Sequence, residues 1–90
     1  MDKKRYILYL ELNKKFRIFV AATNDESVAE AVYAEYVNQA RRGLVKYEKG
    51  KYSGYISQII LSDKRERIDF VYSLEKGFKE IYKKKKKVVA

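Results

Sequence analysis

Two β-forming runs separated by only three polar residues dominate the start of this chain. Residues 5–12 read Arg-Tyr-Ile-Leu-Tyr-Leu-Glu-Leu and residues 16–22 read Phe-Arg-Ile-Phe-Val-Ala-Ala, with Asn13-Lys14-Lys15 between them. A break of that length and polarity predicts an antiparallel hairpin. Alternation puts Leu8, Leu10 and Leu12 on one face of the first strand, opposite Ile7, Tyr9 and Glu11. In the second run Phe16, Ile18 and Val20 share a face, opposite Arg17 and Phe19. The aliphatic faces are expected to meet the core. Because Ile7, Tyr9 and Phe19 lie on the other side, one helix cannot cover all the apolar surface of such a sheet. Either two helices cover opposite faces or the second face meets another subunit, and a symmetric homodimer is expected.

Thr23-Asn24-Asp25-Glu26 marks the start of a helix. Thr23 with Glu26 three residues on matches a capping box. Asp25, Glu26, Glu30 and Glu35 come early, Arg41-Arg42 come late, and Gly43 is the stop, so both ends complement the helix dipole. Val28, Ala29, Val32, Tyr36, Val37 and Ala40 recur at three- and four-residue spacing and are expected to form its buried stripe. Strands are expected over 44–48, 51–61 and 67–72, with Lys49-Gly50 as a turn, Gly54 as a possible bulge and 62–66 as a polar turn. Leu74, Phe78, Ile81 and Tyr82 are spaced for a terminal helix from about Ser73 to the lysine run. The expected order, β-β-α-β-β-β-α, belongs to the α+β class with an antiparallel sheet.

Ninety residues suit one domain, expected over residues 1–82, with 83–90 as a basic C-terminal tail. Apolar residues at 47% and aromatics at 14% are too many for a disordered chain, even with 37% charged residues. No stretch approaches the ~20 apolar residues that span a bilayer. Met1-Asp2-Lys3-Lys4-Arg5 runs into strand-like alternation and not into the apolar block of a signal peptide, so an intracellular protein is expected. Asn, Gln, Cys and Met together number six, while Lys, Glu, Ile, Val and Tyr are abundant. That bias is shared by proteins of thermophiles, and also by low-GC genomes.

The formal charge is +9, from 21 basic and 12 acidic residues, and it is unevenly spread. Residues 23–43 hold four acids against two arginines, which argues against a basic recognition helix. Residues 74–90 hold seven lysines against two acids, five of them in the run Lys83, Lys84, Lys85, Lys86 and Lys87. Such a run serves as a solvated tail, as a set of sequence-independent phosphate contacts or as a contact for anionic lipid. Lysine outnumbers arginine there, which favours point-charge contacts over bidentate base reading. Aromatic and basic residues also adjoin at Arg5-Tyr6, at Arg17 with Tyr9 and Phe19, and from Lys46-Tyr47 through Lys51-Tyr52 to Tyr55. Rings that stack on bases beside cations that neutralise phosphates make the third cluster the best candidate, although cross-strand packing alone explains many such rings.

Catalytic chemistry has little to draw on. With no Cys and no His the chain lacks thiolate nucleophiles, disulfides and the commonest general base and metal ligand. Six residues separate Gly43 from Gly50-Lys51, and Tyr52 stands where a phosphate-binding loop needs a hydroxyl residue. Asp63, Glu66 and Asp69 alternate with Lys64, Arg65 and Arg67, which reads as a salt-bridged turn and strand face and not as a metal cage. Ser53 and Ser57 have no histidine to activate them. From Asp25 onward the element order resembles that of double-stranded-RNA-binding domains, without their second-helix signature, because the basic run closes the last helix instead of opening it.

These observations predict a non-catalytic nucleic-acid-binding protein without cofactor or metal, making mainly phosphate-backbone contacts, with DNA favoured over RNA. Its contacts are expected from Arg41, Arg42, Lys46, Lys49, Lys51, Tyr52, Tyr55 and Lys83 to Lys87. The alternative is a small protein-interaction module, an inhibitor or adaptor of a virus or mobile element, whose basic charge would match an acidic partner.

Overall fold

The computed structural model describes residues 4–74 and the strand at 79–84. The order of elements is β1 (Tyr6–Leu12), β2 (Phe16–Thr23), α1 (Glu26–Arg41), β3 (Lys46–Lys49), β4 (Tyr52–Asp63), β5 (Ile68–Ser73) and β6 (Lys79–Lys84). All pairings are antiparallel, in the order β2-β1-β4-β5-β6, with β3 paired to the first part of β4. The class is α+β, with one helix among the described residues.

The hairpin β1–β2 forms as its spacing predicts. Asn13 and Lys14 take the left-handed conformation at its turn, which Asn tolerates at small cost. A bulge between Leu8 and Tyr9 sets Leu8 against Ala21 and Tyr9 against Phe19, leaving Val20 as the extra residue. Leu8, Leu10 and Leu12 are buried with Ile18, Ile59, Leu61 and Tyr72 beneath α1. Val20 packs at the edge of that cluster, whereas Phe16, expected inside, is exposed at the strand's start.

The cap of α1 lies two residues beyond Thr23. Thr23 is still paired with Tyr6 in β2, so it cannot leave the strand to cap the helix. Asp25 does so instead: its Oδ1 accepts from the N–H groups of Ser27 (2.8 Å) and Val28 (3.3 Å). Thr23 Oγ1 accepts from the Asp25 N–H at 3.0 Å and holds the cap residue in place. At the far end Gly43 has φ +85°. Its N–H bonds the Ala40 carbonyl and the Leu44 N–H bonds that of Gln39, a Schellman closure. The buried stripe is Ala29, Tyr33, Val37 and Ala40. Val32 and Tyr36 flank it and Val28 is 46% exposed, so the helix is rotated from the orientation its aliphatic residues predict. Alanine at 29 and 40 admits the backbone close to the sheet, and Tyr33 supplies the bulk between them.

The expected terminal helix is not formed. Leu74 lies in a turn, its N–H donating to the Ser57 carbonyl at 3.1 Å, and Lys79–Lys84 is strand β6. Ile81 stands in register with Val71 and Tyr82 with Phe70. Over six residues, helical spacing and strand alternation are hard to tell apart, and an open edge on β5 decides for the strand. Without a second helix the likeness to double-stranded-RNA-binding domains in element order also lapses. Phe78 lies outside the described residues. Helix α1 covers one sheet face only; on the other face Ile60 is fully buried and Val71 nearly so, Ile60 being flanked in register by Tyr9 and Val71.

Candidate nucleic-acid interface

The β3–β4 hairpin has two chemically distinct faces, set by its register. Lys49 is paired with Tyr52, Tyr47 with Gly54, Glu48 with Ser53 and Lys46 with Tyr55. Alternation therefore puts Tyr47, Lys49 and Tyr52 on one face and Lys46, Glu48 and Tyr55 on the other. On the second face Lys46 Nζ pairs with Glu48 Oε2 at 3.3 Å. The first face turns toward the outer edge of β2, and between them lies a cleft of about 530 Å³.

Three elements build this cleft. The hairpin contributes Tyr47, Lys49 and Tyr52, α1 contributes Tyr36, and the edge of β2 runs alongside from Arg17 to Val20, with the Arg17 and Phe19 side chains on the sheet face of Tyr9, away from α1. Ile18 and Val20 of β2 provide its apolar base. Phe19 is 62% exposed and Tyr52 46%, both large for aromatic rings. Tyr36 and Tyr47 are half-buried; burial pushes the Tyr36 hydroxyl above its ordinary pKa, and Tyr47 beside it adds to the rise. Arg17 leans back over the Tyr9 ring, 5.9 Å from its centroid, and Lys64 approaches the same ring at 5.5 Å. No carboxylate lines the cleft among the described residues. Neither Arg17, Lys49 nor Lys51 takes part in an ion pair among them either. The arrangement is a slot walled by tyrosines, with Lys49 at its rim and Lys51 in the adjoining turn.

One remote contact holds the hairpin in this position. The Asn13 N–H donates to the Tyr55 carbonyl at 2.8 Å and the Tyr55 N–H donates to Asn13 Oδ1 at 2.9 Å. Gly54, expected as a bulge, instead permits this approach: a Cβ there would lie 2.8 Å from Asn13 Cγ and Oδ1. The bulge itself falls at Ser57, where the pairing of β1 with β4 shifts between Glu11 and Leu12. We expect Gly54→Ala to force Asn13 away and lower stability by roughly 1–3 kcal/mol, the usual range for an overpacked site. Chemical denaturation of the two proteins measures it.

The sequence-predicted contacts do not converge. Lys49 and Tyr52 meet in the cleft, and Lys51 is exposed in the adjoining turn. Lys46 and Tyr55 lie on the opposite hairpin face, where Tyr55 borders a second depression with Asn13 and Ser57. Arg41 lines a third, between the end of α1 and Tyr72, and Arg42 is the exposed C-cap. Lys83 and Lys84 close β6, in register with Asp69 and Ile68, while Lys85, Lys86 and Lys87 lie outside the described residues. Tyr36 and the edge of β2 are the contributors missing from the predicted set. The adjacency of Arg17 and Phe19 was visible in the chain, but the position of their strand edge across from the hairpin was not.

Acidic residues make no metal cage: among the described residues no group of three or more candidate ligands converges. Asp63 instead takes a bidentate pair from Arg5, Nε to Oδ1 and Nη2 to Oδ2, each at 2.9 Å. Its partner is thus 58 residues away, not among the neighbouring Lys64, Arg65 and Arg67 as the local charge pattern suggests. The N–H groups of Arg65 and Glu66 also donate to Asp63 Oδ1. Asp69 accepts from Ser62 Oγ at 2.6 Å. No described helix is long and apolar enough to cross a membrane. No family model, curated protein or solved structure matches the chain.

Proposed function

We propose that the chain is a non-catalytic nucleic-acid-binding protein whose contacts are mainly to the phosphate backbone. The observation that carries this reading is the exposed hairpin: Lys49 and Lys51, without ion pairs among the described residues, flank Tyr52 at a cleft whose described lining has no carboxylate. Cations left uncompensated on a chain of net charge +9 are arranged to meet an anion, and a polyanion satisfies several at once. The exposed Arg42 and the terminal lysines add to the field.

The test is binding to mixed-sequence duplex DNA and RNA over a range of salt. Each duplex-phosphate contact steepens the fall of log affinity with log salt by about 0.9. We expect Lys49→Ala with Lys51→Ala to flatten the slope by up to about 1.8 on that scale. Affinity indifferent to salt in the unaltered protein overturns the reading.

One observation favours a second reading, a protein-interaction module. Strand β2 is an edge strand with Phe16 and Phe19 exposed, and such an edge can pair with an extended segment of another protein. A stoichiometric partner that survives nuclease treatment during co-purification supports it.

A further inference from the structure

We infer that the cleft between β2, α1 and the β3–β4 hairpin binds an unpaired nucleobase, so that the protein prefers single-stranded to duplex nucleic acid. This inference rests on the proposed nucleic-acid binding and goes beyond it, because phosphate contacts alone make no distinction between stacked and unstacked bases.

The lining chemistry carries it. Three of the side chains around the cleft are aromatic, Tyr36, Tyr47 and Tyr52, and Lys49 is the cation at its rim, while β2 adds Ile18, Val20 and its strand edge. A purely electrostatic phosphate site has no need of exposed rings. Tyr52 stays 46% exposed in the free protein, an unfavourable state that stacking on a planar apolar face would relieve. A duplex keeps its base faces inside the helix and offers such a cleft only sugars and phosphates. A single strand offers π faces, with a phosphate on either side of each base.

The spacing agrees. Lys49 sits directly across the hairpin ladder from Tyr52, so a ring and a cation are side by side at the rim. At about 530 Å³ the space falls within the ~300–1,000 Å³ typical of ligand clefts, ample for a planar base. Among the described residues the lining has no carboxylate to repel the phosphates and no bidentate Asn or Gln to read a base edge. Base identity should therefore matter little.

Fluorescence anisotropy with a short labelled single strand, as DNA and as RNA, and with the duplex of the same sequence tests this on the full chain. The expected result is tighter binding of the single strands. Tyr52→Ala should weaken that binding by about 5- to 100-fold, as loss of one base–aromatic stack does, and leave duplex binding within about twofold. Tyr52→Phe should keep it, since the face and not the hydroxyl stacks. Tyr55→Ala, a still more exposed ring outside the cleft, should leave it unchanged. Because the chain has no Trp, its tyrosine emission should fall on saturation with unlabelled single strand, and fall less in Tyr52→Ala. Nucleic-acid binding that ignores strandedness, or that responds alike to Tyr52→Ala and Tyr55→Ala, overturns this inference and leaves the phosphate-binding proposal standing. Absence of binding to any nucleic acid at low salt overturns both. Displacement of the single strand by an acidic peptide of far higher affinity also overturns it, in favour of the protein-interaction reading.

Discussion

Leu10→Ala is expected to cost about 2–5 kcal/mol, the range for removing a buried leucine side chain and leaving a cavity. Leu10 is fully buried between β2 and β4, in register with Ile18 and Ile59 and beneath α1. A domain of this size has roughly 5–13 kcal/mol in total, so the variant should melt far lower or fail to fold. Urea unfolding followed by circular dichroism reads the difference. Two companions sharpen it. Val28→Ala, on the exposed side of α1, should change stability by no more than about 0.5 kcal/mol. Ile60→Ala should behave like Leu10→Ala although it lies on the sheet face away from the helix. A small effect at Ile60 would mean that this face is not interior.

Asp63→Asn is the second large effect, and it depends on pH. The Arg5 hydrogen bonds, helped by the backbone N–H groups of Glu66 and Arg65, hold the Asp63 carboxyl below its ordinary range. A carboxylate with a lower pKa in the folded state than in the unfolded chain stabilises the fold above its unfolded value. That contribution disappears as pH falls through the folded value. At neutral pH we expect Asp63→Asn to lose about 1.5–3 kcal/mol, the worth of hydrogen bonds to a charged group. Between pH 5 and pH 2, roughly the span from above the unfolded carboxylate pKa to below a depressed one, the natural protein should lose stability faster than the variant. The two curves should converge in acid. Parallel curves would show that Asp63 is not ionised by preference in the folded state.

The two regions differ in how far each could be read from local sequence. The β1–β2 hairpin, the helix between Asp25 and Gly43 and the turn at Lys49-Gly50 all depend on contacts within a few residues. A polar break, a capping carboxylate and a left-handed glycine act locally, so they show in the chain. The cap residue was misplaced because Thr23 is claimed by β2, a pairing with Tyr6 that lies outside the local window. The helix turns Tyr33 inward, a ring that the aliphatic spacing does not include. The pattern of β6 fits both periods, and pairing with β5 decides for the strand.

The site shows the same division more sharply. Composition determined that the chain carries a large positive excess, many tyrosines and none of the Cys or His on which most nucleophilic and metal chemistry depends. The hairpin register, which the structure supplies, puts Lys49 and Tyr52 on a face that excludes Lys46 and Tyr55. Only the tertiary structure brought Tyr36 and the edge of β2 opposite that face. It likewise separated Arg41 and strand β6, with Lys83 and Lys84, from the cleft and gave Asp63 to Arg5. The physical reason is range. Backbone periodicity and capping are set by neighbours in sequence, whereas a cleft between an edge strand, a helix and a hairpin depends on which surfaces the whole core leaves uncovered.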